Sequence, residues 1–315
     1  MVFIKRKKSI GPDGRVLNNK PGSSAFKQQK MNACEFIPSM KSMIISFLTI
    51  GLVFLPIGIV LLAASHRVTE TSQRYDLTCP TGSRCNITMN IPKTMKAPVY
   101  LYYQLDEYYQ NLRRYVKSRN LNQLRGKHVT DYKKLKNDCY PFSSVNETLE
   151  TVYQPCGLGP RSMFNDTYVL YQNGRIIPMT KQGIAWQADI DYRFKNPPRG
   201  IPGPRIIPDY TDEDFIVWMK TASFPRFRKL HRIINEDIQK GQAIINVEAN
   251  YPVRQFGGQK SVVLSKTNWS GGRNHFLGIA FIVVGVSMLV LGIIMLLKHK
   301  LAPRRIADPK YLVFR

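Results

Sequence analysis

Two long apolar runs divide the chain. Residues 43–64 and 276–297 contain no charged side chain, and a helix needs roughly 20 residues to cross the hydrocarbon core of a bilayer. The first run follows a long basic segment, which is a poor position for a cleaved signal sequence. The pattern therefore predicts two transmembrane helices, 43–64 and 276–297, with tails at 1–42 and 298–315 and one folded domain at 65–275.

Between the two apolar runs the pattern predicts a sheet-rich domain. Segments rich in aromatic and β-branched residues alternate with Gly, Pro and Asn, as is typical of short strands and turns. Residues 167–171 and 175–179 flank Asn173-Gly174, a pair that tolerates the positive φ of a tight hairpin turn. Two more segments, 243–249 and 260–264, also predict strands.

Two helices and one irregular loop are predicted within this domain. Apolar residues recur at helical spacing from Leu105 to Val116. A second helix would begin at a Thr211 cap and place Phe215, Trp218 and Met219 on one side. Residues 196–208 contain five prolines, so we expect a loop there.

The positions of the cations predict an orientation. Residues 1–42 hold nine Lys or Arg against two acidic residues, and residues 298–315 hold six against Asp308. Short basic flanks of this kind stay on the cytosolic side, so both termini are expected there. The chain has a net charge of +25, but its cations are divided between membrane flanks and a domain outside the cytosol, so we expect no nucleic-acid partner.

Acceptor sequons for N-glycosylation support this orientation. All four lie in the middle segment and none in the tails, at Asn86, Asn146, Asn165 and Asn268. A glycosylated middle segment places the chain in the secretory pathway.

The cysteines agree with an oxidising compartment for the middle segment. Four of the five lie there: Cys79, Cys85, Cys139 and Cys156. Three pairings are open, and local closure favours Cys79–Cys85 with Cys139–Cys156. A metal site is not expected, because no Cys-x-x-Cys or histidine cluster accompanies them. Cys34 in the first tail would be a free thiol or a lipidation site.

The sequence contains no recognisable catalytic or cofactor motif. It lacks a phosphate-binding loop, a G-x-S-x-G nucleophile elbow and an H-E-x-x-H zinc motif. We therefore expect no enzymatic activity and no cofactor. Neither apolar run contains an ionisable residue, which argues against this chain carrying polar solutes across the membrane by itself.

Regularly spaced glycines mark one face of each apolar run. Gly278, Gly285 and Gly292 are seven residues apart, as are Gly51 and Gly58. Small residues allow close approach of helices in a membrane. The two stripes could pack against each other, or each could face another protein.

An ordered set of short motifs then resembles a known family. The motifs begin before the first apolar run and continue to the C-terminus: AFKQQK (25–30), YYQNLRRYVKSR (108–119), PCGL (155–158), SMFND (162–166), GIAW (183–186), DFIVWM (214–219), NYPV (250–253), FGG (256–258), GGRNHFLG (271–278) and DPKYL (308–312). Together they resemble the cell-division-control-fifty (CDC50/LEM3) family, the beta subunits of type IV P-type ATPases. The chain lacks the D-K-T-G-T phosphorylation motif of the pumps themselves.

The resemblance implies a fold and a function. It implies a membrane protein whose two transmembrane α-helices flank a mostly antiparallel, sandwich-like β ectodomain with a few short helices. It also implies a heterodimer with the catalytic subunit of a phospholipid flippase, within a membrane of phospholipids. This subunit would help the pump leave the endoplasmic reticulum for the Golgi, endosomes or plasma membrane. It would also support the pump's activity in moving phospholipid from the exoplasmic or lumenal leaflet to the cytosolic leaflet.

The same resemblance suggests partner contacts and leaves alternatives open. It carries over the two disulfides and the four sequons. The candidate contacts lie within the matching motifs and glycine stripe: Phe26, Gln28, Gln29, Tyr108, Arg113, Arg114, Trp218, Phe256, Gly278, Gly285 and Gly292. The alternatives are a stand-alone two-span receptor or adhesion protein and a membrane-bound hydrolase.

Overall fold

The computed structural model describes residues 22–31, 39–269 and 271–303. The chain separates into two compact units. The larger is Phe54–Val284, and the smaller combines Met1–Val53 with Gly285–Arg315. The hypothesis about Cys34, and the motif at 308–312, lie outside the described residues.

The described part of the chain contains eight α-helices, eight strands and two short 3-10 helices, at Leu149–Thr151 and Arg254–Phe256. The helices are α1 (Met40–His66), α2 (Arg113–Lys117), α3 (Leu121–Leu124), α4 (Tyr132–Asp138), α5 (Leu158–Arg161), α6 (Gln187–Tyr192), α7 (Glu213–Met219) and α8 (Phe276–Leu301). The strands are β1 (Glu70–Arg74), β2 (Ser83–Ile91), β3 (Val99–Asp106), β4 (Thr167–Gln172), β5 (Arg175–Ile177), β6 (Phe227–Ile234), β7 (Gly241–Ala249) and β8 (Gln259–Lys266).

Helices α1 and α8 are the two candidate membrane helices. They contain 27 and 26 residues, and at 1.5 Å per residue each is about 40 Å long. Each extends past the apolar run that predicted it, and the last turn of α8 contains Lys298, His299 and Lys300. The prediction of two long apolar helices around a β-sheet domain is confirmed.

The ectodomain between these helices is built from two antiparallel sheets. Sheet A has the strand order β1-β8-β3-β6, and sheet B has the order β2-β7-β4-β5. Side chains from both sheets enter one continuous hydrophobic core. The buried positions alternate along β2, β4 and β7, which is the pattern of strands that cover a core with one face only.

The hairpin and strand predictions are confirmed. Strands β4 and β5 pair around Asn173 (φ 52°) and Gly174 (φ 76°), the two consecutive positive φ angles of a type I′ turn. Strands β7 and β8 contain the two other predicted segments. The proline-rich segment 196–208 contains no helix or strand.

The helix predicted from Leu105 is wrong at its N-terminal end. Leu105 lies in β3 and pairs with Phe227 of β6, because alternate burial along β3 outweighs the helical spacing. Glu107 adopts a positive φ of 60°, which ends the strand without starting a helix. The helix begins at Arg113 and has no buried residue.

Helix α7 is confirmed, but its cap lies one residue later than predicted. Asp212, not Thr211, is the N-cap, and its carboxylate accepts a hydrogen bond from the Asp214 amide at 3.0 Å. Phe215, Trp218 and Met219 are buried as expected. At the other end of the helix, the buried Lys229 ammonium donates to the main-chain oxygens of Val217, Trp218 and Lys220. These bonds satisfy carbonyls that the helix leaves without partners.

Two disulfides close local loops. Cys79 is joined to Cys85 and Cys139 to Cys156, the pairs that local closure favours. The second bond lies in a small separate core with Leu135 and Val152. By closing this loop, the bond lowers the conformational entropy of the unfolded chain and so stabilises the folded one.

A buried ion pair joins the two sheets. Lys260 of β8, in sheet A, places its ammonium 2.7 Å from a carboxylate oxygen of Asp166, next to β4 in sheet B. The two side chains are only 1% and 2% exposed. Asp166 also accepts hydrogen bonds from the Asn250 and Tyr251 amides at 2.6 Å. The Tyr75 hydroxyl donates to it at 2.6 Å. Every partner of this carboxylate is therefore inside the protein.

The tyrosines around the ion pair remain protonated. Burial, together with neighbouring Tyr168 and Asp166, raises the pKa of Tyr75 well above its ordinary value. Burial also raises the pKa of Tyr168, whose hydroxyl lies 2.7 Å from that of Tyr75. Asp166 consequently keeps a hydroxyl donor throughout the physiological pH range.

Removing one charge of the buried pair should destabilise the ectodomain strongly. Asp166→Asn leaves Lys260 without its counter-charge but keeps the sequon at Asn165. We expect a loss of about 3–5 kcal/mol, measured by denaturant unfolding of the detergent-solubilised chain. Glu150→Gln at an exposed position is the matched control. Equal stability of the two variants would show that the pair does not hold the sheets together.

Candidate partner-binding surfaces

The glycine stripes of the two membrane helices pack against each other. In the smaller unit, a Cβ on Gly51 would lie 2.9 Å from the Gly285 carbonyl oxygen and 2.6 Å from Leu289. A Cβ on Gly292 would lie 2.8 Å from Leu48. Real Cβ atoms do not approach backbone atoms so closely, so a side chain at Gly51 would force the helices apart, whereas one at Gly292 would displace the flexible Leu48 side chain.

The larger unit contains the same arrangement. A Cβ on Gly58 would lie 2.9 Å from the Gly278 carbonyl oxygen, and one on Gly278 would lie 2.9 Å from the Leu62 nitrogen. The rings of Phe54 and Phe281 pack nearby at 5.1 Å. The helices therefore approach at a glycine-lined contact, as small residues permit in membranes.

This contact corrects the suggestion that Gly278, Gly285 and Gly292 bind a partner. All three are buried against α1 of the same chain, so another protein cannot use that face while the helices stay together. The faces available to lipid or to other helices carry large apolar residues. Examples are Ile45, Leu52 and Ile59 on α1 and Val290 and Ile294 on α8.

Three loops meet at one end of sheet A. The last residue of β3, Asp106, pairs with the first residue of β8, Gln259, and Leu105 pairs with the first residue of β6. The loops that follow β3 and precede β6 and β8 are therefore neighbours. Asn111 donates to the Ser223 carbonyl at 2.9 Å, which ties two of these loops together.

These loops expose large apolar side chains. We call the following set the loop patch: Tyr109 (47% exposed), Leu112 (58%), Phe224 (73%) and Phe256 (38%). Exposed apolar side chains that lie together mark interaction surfaces, whereas single exposed ones are common on any protein. The patch is flanked by the exposed Arg113 and Arg114, and Arg114 lies over the Tyr140 ring at 4.7 Å.

Two of the predicted contact residues lie on the core side of the loop patch. Trp218 is 1% exposed and donates its indole N–H to the Gly159 carbonyl at 2.9 Å. It is therefore a core residue, which corrects its prediction as a direct contact. Tyr108 is half-buried, with its ring 5.7 Å from Trp218 and 5.3 Å from Phe256.

Phe224 and Leu112 were not anticipated from the sequence. The helical spacing predicts a helix at Leu112, which instead precedes α2, and Phe224 lies in an irregular segment without apolar periodicity. Only the pairing of β3 with β6 and β8 brings their loops together. The one local signal is Pro225 beside Phe224, which indicates a turn.

A short segment ahead of α1 presents another exposed aromatic side chain. Residues 24–30 form a compact turn in which Lys30 N donates to the Ala25 carbonyl at 2.8 Å. Gln29 adopts a positive φ of 56°, and Gln28 donates to the Gly22 carbonyl at 3.1 Å. Phe26 is 78% exposed, so this turn presents it to solvent.

The four sequon asparagines differ in accessibility. Asn86, Asn146 and Asn165 are exposed. Asn268 is half-buried, and its side-chain nitrogen, the atom to which a glycan would attach, donates to the Ala64 carbonyl at 2.8 Å. Asn268 also lies close in sequence to Phe276, where α8 begins.

The His231–Asp214 pair is enclosed and structural. The two groups are 3.5 Å apart, and Arg232 donates to the same carboxylate at 2.7 Å. Burial lowers the pKa of His231. Burial alone would raise the pKa of Asp214, but hydrogen bonds from His231 and Arg232 hold it below its usual value.

The surroundings of that pair do not suit catalysis. The rings of Tyr103 and Tyr168 cover His231, which is 6% exposed, so substrate has no access to it. Across residues 22–31, 39–269 and 271–303, no three His, Cys, Asp or Glu side chains are grouped to hold a metal ion.

Comparisons with known proteins agree with the resemblance seen in the motifs. The signature of the LEM3 (ligand-effect modulator 3)/CDC50 family matches residues 61–305. ALA-interacting subunit 3 of Arabidopsis thaliana is 39% identical over 326 residues, covering 95% of this chain and 91% of that protein. Cell cycle control protein 50A of Bos taurus is 36% identical over 338 residues, covering 92% of each.

Placing a bulky residue at the helix contact should separate the helices. Cysteines at Phe54 and Phe281, with Cys34→Ser, report their proximity by disulfide formation under mild oxidation. Gly58→Leu should abolish this cross-link, because its side chain would overlap the α8 backbone. Ile59→Leu, at the exposed neighbouring position, should leave it intact. An undiminished cross-link in Gly58→Leu would contradict the glycine-lined contact.

Proposed function

The chain belongs to the LEM3/CDC50 family, and we propose that it is a non-catalytic accessory subunit of a phospholipid flippase. It would form a heterodimer with a type IV P-type ATPase. The observation that carries the proposal is the match along nearly the whole chain to relatives named as interacting subunits. A two-helix membrane anchor without charges in its apolar stretches fits a subunit that docks, not one that transports.

The proposal includes a membrane orientation. Residues 1–42 and 298–315 would be cytosolic, 43–64 and 276–297 would span the bilayer, and 65–275 would be lumenal or extracellular. The basic tails support this arrangement, as do the exposed sequons and the disulfides of the middle domain. The protein would reside in membranes of the secretory pathway, from the endoplasmic reticulum to the Golgi, endosomes and plasma membrane.

Three separate surfaces would contact the ATPase. The turn with Phe26, Gln28 and Gln29 would bind on the cytosolic side. The outward faces of α1 and α8 would lie against membrane helices of the pump. The loop patch, with Arg113 and Arg114, would bind lumenal loops. Because these surfaces belong to different parts of the chain, each adds to the avidity of the others.

The role of the subunit would be to support the pump. Its contacts would cover apolar surface that otherwise retains the ATPase in the endoplasmic reticulum, and would stabilise it through its phosphorylation cycle. The pump would move phospholipid from the exoplasmic or lumenal leaflet to the cytosolic leaflet. The subunit's apolar helix stretches hold no ionisable residue, so the translocation route would lie in the catalytic chain.

A charge within the loop patch should weaken the complex. Phe224→Asp places a carboxylate in an interface that would exclude water, and we expect recovery of the ATPase with the tagged chain to fall at least tenfold. That loss corresponds to about 1.4 kcal/mol. The measurement is the stoichiometry of P-type ATPase in mild-detergent purifications from cells that contain both chains.

The matched control is Ile176→Asp, an exposed position (56%) on the edge strand β5 of sheet B. It should leave recovery unchanged. If the wild-type chain purifies without any P-type ATPase, and flippase activity survives its deletion, the stand-alone receptor becomes the better explanation.

Glycan mapping tests the orientation independently. Asn86, Asn146 and Asn165 should each carry a glycan, because they are exposed and on the proposed lumenal side. Asn268 should remain unmodified, since it lies against the end of α1. Single Asn→Gln variants, followed by glycosidase digestion and gel electrophoresis, count the occupied sites. A chain with no glycan would refute this placement, whereas a glycan only at Asn268 would keep the orientation and contradict the expected order of accessibility.

A further inference from the structure

A cavity lies beside the end of α1 that leads into the ectodomain. Its volume is ≈ 270 Å³, and its lining includes Ala64, Arg67, Lys266, Thr267 and Trp269. Arg67 directly follows α1, and Lys266 is the last residue of β8. The Lys266 amide donates to the Thr69 carbonyl at 3.0 Å, which brings the two basic residues to the same place.

The cations in this cavity have no counter-charge. Within the described residues, neither Arg67 nor Lys266 has a side-chain hydrogen bond or ion pair, and no acidic residue lines the cavity. Two partly exposed cations on sheet A, by contrast, have acidic partners: Arg74 pairs with Asp76 and Arg228 with Glu70. An anion from outside the chain would therefore find two free donors here.

The neighbourhood of the cavity is that of a membrane interface. Ala64 belongs to the apolar helix α1, and Trp269 is 76% exposed at the cavity. Tryptophan is enriched where headgroups meet the hydrocarbon. Basic residues on the non-cytosolic flank run against the usual charge bias of membrane proteins. A specific anion at this depth would account for them.

We propose that this cavity binds the phosphate of a phospholipid headgroup in the non-cytosolic leaflet. The guanidinium of Arg67 and the ammonium of Lys266 would donate to the non-bridging phosphate oxygens. Trp269 would lie along the glycerol region, with the acyl chains beside α1. Free phosphate would use the cations but gain nothing from Trp269 or the apolar helix, so the lipid is the better ligand. The leaflet assignment rests on the orientation proposed above.

Native mass spectrometry of the full-length chain in detergent tests this directly. The probes are dioleoylphosphatidylcholine, dioleoylglycerol as its phosphate-free counterpart, and inorganic phosphate as competitor. We expect one phosphatidylcholine on the wild-type chain and little dioleoylglycerol. The double variant Arg67→Gln/Lys266→Gln should retain about tenfold less phospholipid, because both charged donors are lost.

The matched control is Lys195→Gln/Arg199→Gln, which removes the same charge at two exposed positions, one just before the proline-rich loop and one within it. It should bind phospholipid like the wild type. Equal retention in both double variants, or equal retention of dioleoylglycerol, would overturn the proposal. Full displacement of the lipid by millimolar inorganic phosphate would also overturn it and indicate a site for the free anion.

The outcome can be separated from that of the proposed function. The Arg67→Gln/Lys266→Gln variant should still purify with the ATPase, because neither residue belongs to a proposed partner surface. If the wild-type chain purifies without a P-type ATPase, the subunit role is refuted, but the lipid measurement is unaffected. If the wild-type chain purifies with the ATPase but binds no phospholipid, only the proposed lipid site is refuted.

Discussion

The buried contact between Lys260 and Asp166 fixes how the two sheets of the ectodomain fit together. Both groups are nearly inaccessible, and the pair collects its remaining hydrogen bonds from Tyr75 and from the chain after β7. A buried ion pair adds little net stability compared with apolar packing, but breaking it is costly. It therefore disfavours other alignments of the sheets. The alignment of the sheets in turn determines where the loops at the strand ends lie.

The membrane helices follow a different constraint, which is close approach. Glycines at Gly51 and Gly58 face the α8 backbone, and Gly278 faces that of α1, so the anchor is a pair with its own internal contact. Its outward faces are apolar. The anchor therefore has an internal contact of its own, and its outward faces are left for lipid or for the helices of the proposed partner.

Much of the fold could be predicted from sequence because its signals are local. Apolar length predicted α1 and α8, and Asn173-Gly174 predicted the hairpin. The predictions fail where contacts between distant segments of the chain decide the local structure. Leu105 pairs with Phe227, far along the chain, which converts a helix-like spacing into a strand. Trp218 was expected to contact a partner, but its indole N–H donates to the Gly159 carbonyl inside the domain. The glycine stripes allowed two explanations, and only the helix pairing distinguishes them.

The proposed complex places the loop patch against a P-type ATPase on the non-cytosolic side of the membrane. The most direct test is a photo-reactive amino acid at Leu112 of the full-length chain, activated in cells and followed by mass spectrometry of the adducts. We expect a cross-link to a lumenal loop of one P-type ATPase, and none from the same probe at Ile176. Equal labelling from both positions, or adducts only with unrelated proteins, would contradict it.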